Sequence, residues 1–101
     1  MKVEINSDIY LVLWKHSRQS NHISRGKTKC SIVKLYKDEN TPLVRLLIGT
    51  GETYCSSKDS YNKDVGRKIS LTRALQKIFP SNKEIRKAFW NAYYKMKNNK
   101  W

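Results

Sequence analysis

Apolar residues fall in short runs through the first half of the chain and at helical spacing through the last third. Residues 2–5 (KVEI) and 9–14 (IYLVLW) are rich in β-favouring side chains. Asn6, Ser7 and Asp8 between them form a turn-like interruption. Residues 30–36 (CSIVKLY) alternate in part and stop at KDENTP, a turn cluster ending in Pro42. Residues 43–48 (LVRLLI) and the short 53–55 (TYC) follow. Gly49 and Gly51 flank Thr50 there, which predicts a tight hairpin connection. The pattern predicts a small antiparallel sheet of three to five strands.

Two helices are predicted next, at about 65–79 and about 82–98. Pro80 ends the first, because the residue before a proline is pushed out of the helical region. Ser81 is placed to cap the second, with Glu84 three positions on completing a capping box. In the second helix Ile85, Ala88, Phe89, Ala92, Tyr93 and Met96 make one apolar stripe, the expected core face. At about 100° per residue, the opposite face gathers Lys83, Arg86, Lys87, Trp90, Tyr94 and Lys97. Large aromatics there stand among cations, where solvent is expected.

The first helix is apolar around most of its circumference, through Val65, Ile69, Leu71, Ala74, Leu75, Ile78 and Phe79. Ser70, Arg73 and Lys77 fill the remaining strip, so this helix is expected to lie against the sheet. Asp64 can cap its start, yet Arg67 and Lys68 occupy the first turn, where the macrodipole favours acids. Their stems can cover the core edge while their heads reach water. Alternatively, free N–H groups beside Gly66 and two cations would make an anion site. The fold expectation is one α+β domain spanning 1–101, with a small antiparallel sheet packed by two C-terminal helices.

Charge then changes the picture. The net charge is +13, and it is unevenly placed. Residues 1–65 carry eleven Lys and Arg against seven acids, whereas residues 66–101 carry ten against Glu84 alone. Such an excess is the electrostatic footprint of a polyanion binder. Residues 15–29 add Lys15, Arg18, Arg25, Lys27 and Lys29, with no acid and only Ile23 as an aliphatic. They are expected to form a basic loop or long hairpin tip that contributes to the same surface.

Little else suggests chemistry. No apolar run approaches the ~20 residues of a membrane span, and the N-terminal residues lack a signal-peptide core. A cytoplasmic protein without a membrane partner is expected. Cys30 and Cys55 are too few for a disulfide framework and fit reduced strand positions. His16 and His22 lie in the polar stretch at no zinc-ligand spacing, and the carboxylates form no acid–base pair. No enzyme, metal or cofactor is expected.

Residues 55–75, CSSKDSYNKDVGRKISLTRAL, resemble a segment found in small proteins of bacterial viruses. That segment is a Cys-x-x-x-Asp-x-aromatic run followed by GRKIALARAL or a close variant. The matching positions are Cys55, Asp59, Tyr61, Gly66, Arg67, Lys68, Ile69, Leu71, Arg73, Ala74 and Leu75. Residues 25–32 also look like the strand entry of such proteins, while Ser70 and Thr72 stand where Ala is commoner. The resemblance implies a phage or prophage origin and a product made inside a bacterium.

Together these features point to a non-enzymatic binder of DNA, RNA or an acidic nucleoprotein surface. The last helix and the basic loop would form its main surface, with Arg67, Lys68, Arg73 and Lys77 as a second cluster. The other candidate is a protein-directed inhibitor of a host or defence complex, an anti-CRISPR-like or host-takeover factor.

Overall fold

Strand alternation and one packed layer of helices account for most of the architecture. The computed structural model describes residues 1–17, 24–36, 43–56 and 63–100. Four strands, Lys2–Ile5 (β1), Asp8–Ser17 (β2), Ser24–Tyr36 (β3) and Val44–Ser56 (β4), form one antiparallel sheet in the order β1-β2-β3-β4. Helices Lys63–Ile78 (α1) and Lys83–Lys100 (α2) follow. This is the expected α+β fold.

Asn6 and Ser7 make the β1–β2 hairpin with positive φ at both positions, 49° and 75°. Left-handed residues at both centres match the right-handed twist of the strands. Register places Val3 beside Tyr10, Val12 beside Ile32, and Trp14 beside Cys30. These side chains share the helix-facing side of the sheet. There they meet Leu71, Ala74 and Leu75 of α1 and Phe89 and Tyr93 of α2 in one core. Tyr10 sits with its ring centroid 5.4 Å from Phe89 and 6.0 Å from Phe79, so aromatic rings close the end of the core below Pro80. Cys30 is a free, fully buried thiol whose pKa burial pushes up to about 12.

One expectation is narrowed and two need correction. Of the two forms expected for 15–29, a basic loop or a long hairpin tip, the described residues take the hairpin, because β2 continues to Ser17 and β3 begins at Ser24. Lys15 pairs with Lys29 and His16 with Thr28 in the ladder. Residues 18–23, including Arg18 and His22, lie outside the described residues.

Gly49 and Gly51 do not turn the chain; both lie inside β4. They are small because α1 passes directly over them. A Cβ on Gly51 would stand 2.2 Å from the Ser70 carbonyl oxygen, and one on Gly49 would stand 2.4 Å from Ile78 Cγ1. Glycine inside a strand marks such a close approach.

The buried side of α1 is also rotated from the expected one. Ser70 is fully buried and donates through Oγ to the Arg67 carbonyl at 3.1 Å, while Val65 and Ile69 are exposed. A hydroxyl satisfied by its own helix can face the core at little cost.

Candidate nucleic-acid interface

The basic–aromatic surface is set by how α2 starts and which face it buries. Asn82, not Ser81, caps it: Asn82 Oδ1 accepts from the Ile85 backbone N–H at 3.1 Å. Asn is as good a cap as Ser, and its position one residue later lets α2 begin at Lys83. Phe89 and Tyr93 are fully buried, with Ile85, Ala92 and Met96 packed beside them, so the expected apolar stripe is the core face.

On the other side Lys83, Lys87 and Tyr94 are exposed, while Arg86, Trp90 and Lys97 are half-buried. Trp90 therefore does not stand free in solvent as its place on the helical wheel suggested. It packs against the core and meets Tyr93 edge-on at 5.8 Å and Tyr94 at 6.1 Å. It also lines a groove of about 300 Å³ between the helices. Leu75 is the other apolar wall residue, Thr72 and Gln76 of α1 supply polar groups, and Lys83, Arg86 and Lys87 supply cations. Thr72 and Gln76 are the site residues that sequence reasoning missed. With Lys68 they repeat every fourth position, a polar stripe on α1 that could have disclosed them.

Lys97 and Lys68 have a different occupation. Asp64 lies in the first turn of α1, which begins one residue earlier at Lys63, so it is not the capping residue. Its Oδ2 is 3.0 Å from Lys97 Nζ and 3.4 Å from Lys68 Nζ, and its Oδ1 accepts a short hydrogen bond from the Tyr93 hydroxyl. The Tyr93 and Lys97 hydrogen bonds hold the Asp64 pKa at about 2 against desolvation, with the charges of Lys68 and Lys97 adding less. Burial first, and the Asp64 carboxylate second, push the Tyr93 hydroxyl well above its ordinary range. Lys68 Nζ also lies 5.9 Å from the Tyr94 ring centroid.

The cation at the "wrong" end of α1 is thus answered by an acid one turn earlier. Arg67 is half-buried, and its carbonyl accepts from Trp14 Nε1 at 3.3 Å. Gly66 serves the sheet contact, since a Cβ there would be 2.6 Å from Thr28 Oγ1.

Arg67, Lys68, Arg73 and Lys77, the expected second cluster, do not come together. Lys68 and Lys77 are nine residues apart, which at ~100° each places them on opposite sides of the helix. Arg73 and Lys77 instead flank β4, where they line a second groove of about 610 Å³ with Thr50, Glu52, Tyr54 and Gln76. Arg73 Nη1 donates to the Glu52 carbonyl at 2.7 Å.

The strand cations also lie apart from α2. Thr28 and Cys30 face the helices, so Lys27 and Lys29 alternate to the other face of the sheet, as does Lys15 beside Lys29. Lys27 Nζ is 3.3 Å from Glu52 Oε2 and 5.5 Å from the Tyr54 ring. Arg25 belongs to β3 by its backbone, and Arg18 lies outside the described residues. Among the described cations of the basic stretch, Lys15, Lys27 and Lys29 are therefore separated from the last helix by the sheet. His16 is half-buried on β2, with Nδ1 2.9 Å from Thr28 Oγ1, rather than in a solvated loop. Among the described residues, no three His, Cys, Asp or Glu side chains gather as a metal site, and no helix is long and apolar enough to cross a membrane.

Set against protein-family models, curated proteins and solved structures, the chain matches none.

Proposed function

We propose that this protein binds nucleic acid without catalysis, through the groove between α1 and α2. One observation carries this reading: Lys83, Arg86 and Lys87 line the same groove as Trp90, with Thr72 and Gln76 opposite. Cations neutralise phosphates, an aromatic face stacks on an unpaired base, and amide or hydroxyl groups reach base edges. The combination favours a single strand or a looped end over a smooth duplex. The resemblance to small phage proteins supports a setting in the cytoplasm of an infected bacterium. There the bound nucleic acid would be viral, host or part of a defence complex.

The test is binding of single- and double-stranded DNA and RNA oligonucleotides, measured by anisotropy as a function of salt. Replacing Lys83, Arg86 and Lys87 together by Ala is expected to weaken binding at least about tenfold at low salt and to reduce the log–log salt slope by about 2. Trp90→Ala is expected to weaken single-strand binding by about 1–3 kcal/mol, with circular dichroism checking that the fold survives. Absence of binding at low salt would sink the proposal.

A further inference from the structure

We propose that two copies of this chain pair through the first half of β4, antiparallel about a two-fold axis at Leu46. β4 is an edge strand among the described residues, as is β1 at the other side of the sheet. The two edges differ. β1 is four residues long and carries Lys2 and Glu4, whereas β4 is thirteen residues long. Short, charged edges resist further pairing, and long apolar ones invite it.

The second half of β4 is guarded, because Arg73 occupies the Glu52 carbonyl. The first half has no such cover among the described side chains, and it is apolar on both faces. Val44 and Leu46 lie on the helix side opposite Tyr36 and Lys34, and Leu47 lies on the other side opposite Val33. They are 42%, 50% and 57% exposed. Docking of a partner on one sheet face would cover only one of these sets. Extension of the sheet at its edge covers both.

A second copy fits this edge because residues 44–48 are self-complementary. With Leu46 on the axis, Leu46 meets its own equivalent and Arg45 meets Leu47, while Val44 reaches Ile48, the extra residue that a bulge in the β3–β4 register leaves between Leu47 and Gly49. Every cross-strand pair then includes an apolar side chain and no like charges stand opposite. Arg45 is the sole charge in this stretch. The strip is about 17 Å long, so it buries a few hundred Å² per copy, the size of a weak, concentration-dependent interface. Two chains of net charge +13 also repel, so added salt is expected to strengthen the dimer. Nucleic-acid binding by the same protein has the opposite salt dependence.

Sedimentation velocity between roughly 10 and 300 µM, at low and moderate salt, reads this directly. A dimer that grows with concentration and salt, and is lost in Leu46→Lys, is the expected result. Leu46→Cys in a Cys55→Ser background is expected to cross-link on mild oxidation, since a residue on the axis sits within disulfide reach of its equivalent. A monomer throughout overturns the proposal. So does a dimer that survives Leu46→Lys but is lost in Leu13→Asp, which would place the contact on the open sheet face.

Discussion

Gly51→Ala is expected to destabilise the fold by about 3 kcal/mol or more, enough to leave a substantial unfolded fraction in so small a domain. The added Cβ would lie 2.2 Å from the Ser70 carbonyl oxygen and 2.4 Å from the Ala74 backbone nitrogen. Both are backbone atoms of α1, so no rotamer change relieves the clash. The whole helix has to lift from β4. That movement opens the core around Ala74 and Leu71, which are fully buried. Gly51 has no positive φ, so the penalty is one of space rather than backbone conformation.

Gly49→Ala provides the contrast. Its new Cβ would meet Ile78 Cγ1 at 2.4 Å and Cδ1 at 2.6 Å, atoms of a side chain at the end of α1 that can turn aside. A cost of about 1 kcal/mol is expected there. Urea unfolding of the two variants separates the cases. Equal midpoints for Gly51→Ala and the parent would show that α1 does not lie this close to the strand.

The same glycines show where a single sequence stops being legible. Gly-Thr-Gly between apolar runs has the local signature of a turn, and only the helix packed above it makes it strand. Residues 15–17 and 24–29 are polar for a similar reason. There β3 is held by ladders to β2 and β4 on either side, and the buried position under Gly66 is filled by Thr28, whose hydroxyl pairs with His16.

Elements carried by a local signal were readable: β1 by its alternation before the Asn6–Ser7 turn, the core stripe of α2 by its helical spacing, and the end of α1 by Pro80. In the groove, Lys83, Arg86, Lys87 and Trp90 were readable because one helix carries them all. Lys97 was not, because the acid that takes it lies 33 residues away on the other helix. A helical wheel counts such a lysine as part of a free cationic face. The fold makes it a strut.

That strut predicts an acid-sensitive step in stability. The ordinary pKa of Asp64 is 3.8, and in the folded protein it is held at about 2 by Tyr93, Lys97 and Lys68. The folded state thus favours the ionised carboxylate. Its contribution is fully present above the ordinary value and is lost as pH falls from about 4 through about 2. The carboxylate is a third exposed, so solvent screening reduces the contribution to about 1 kcal/mol.

Asp64→Ala is expected to cost more than this at neutral pH, about 2–3 kcal/mol, because the Tyr93 hydroxyl is then left in a buried site without its acceptor. Tyr93→Phe removes the hydroxyl together with its demand, so adding Asp64→Ala to Tyr93→Phe is expected to cost less than Asp64→Ala alone, a coupling of about 1–2 kcal/mol. Urea denaturation from pH 7 down to pH 2 checks both parts: the gap between parent and Asp64→Asn should close as the parent carboxylate titrates. A gap that stays constant to pH 2 would show that Asp64 does not join the helices through its charge. Closure would also loosen the bridge between the start of α1 and the Tyr93–Lys97 turn of α2. Trp90 packs on that turn, so nucleic-acid affinity is expected to fall in Asp64→Ala even though the variant makes the protein more positive.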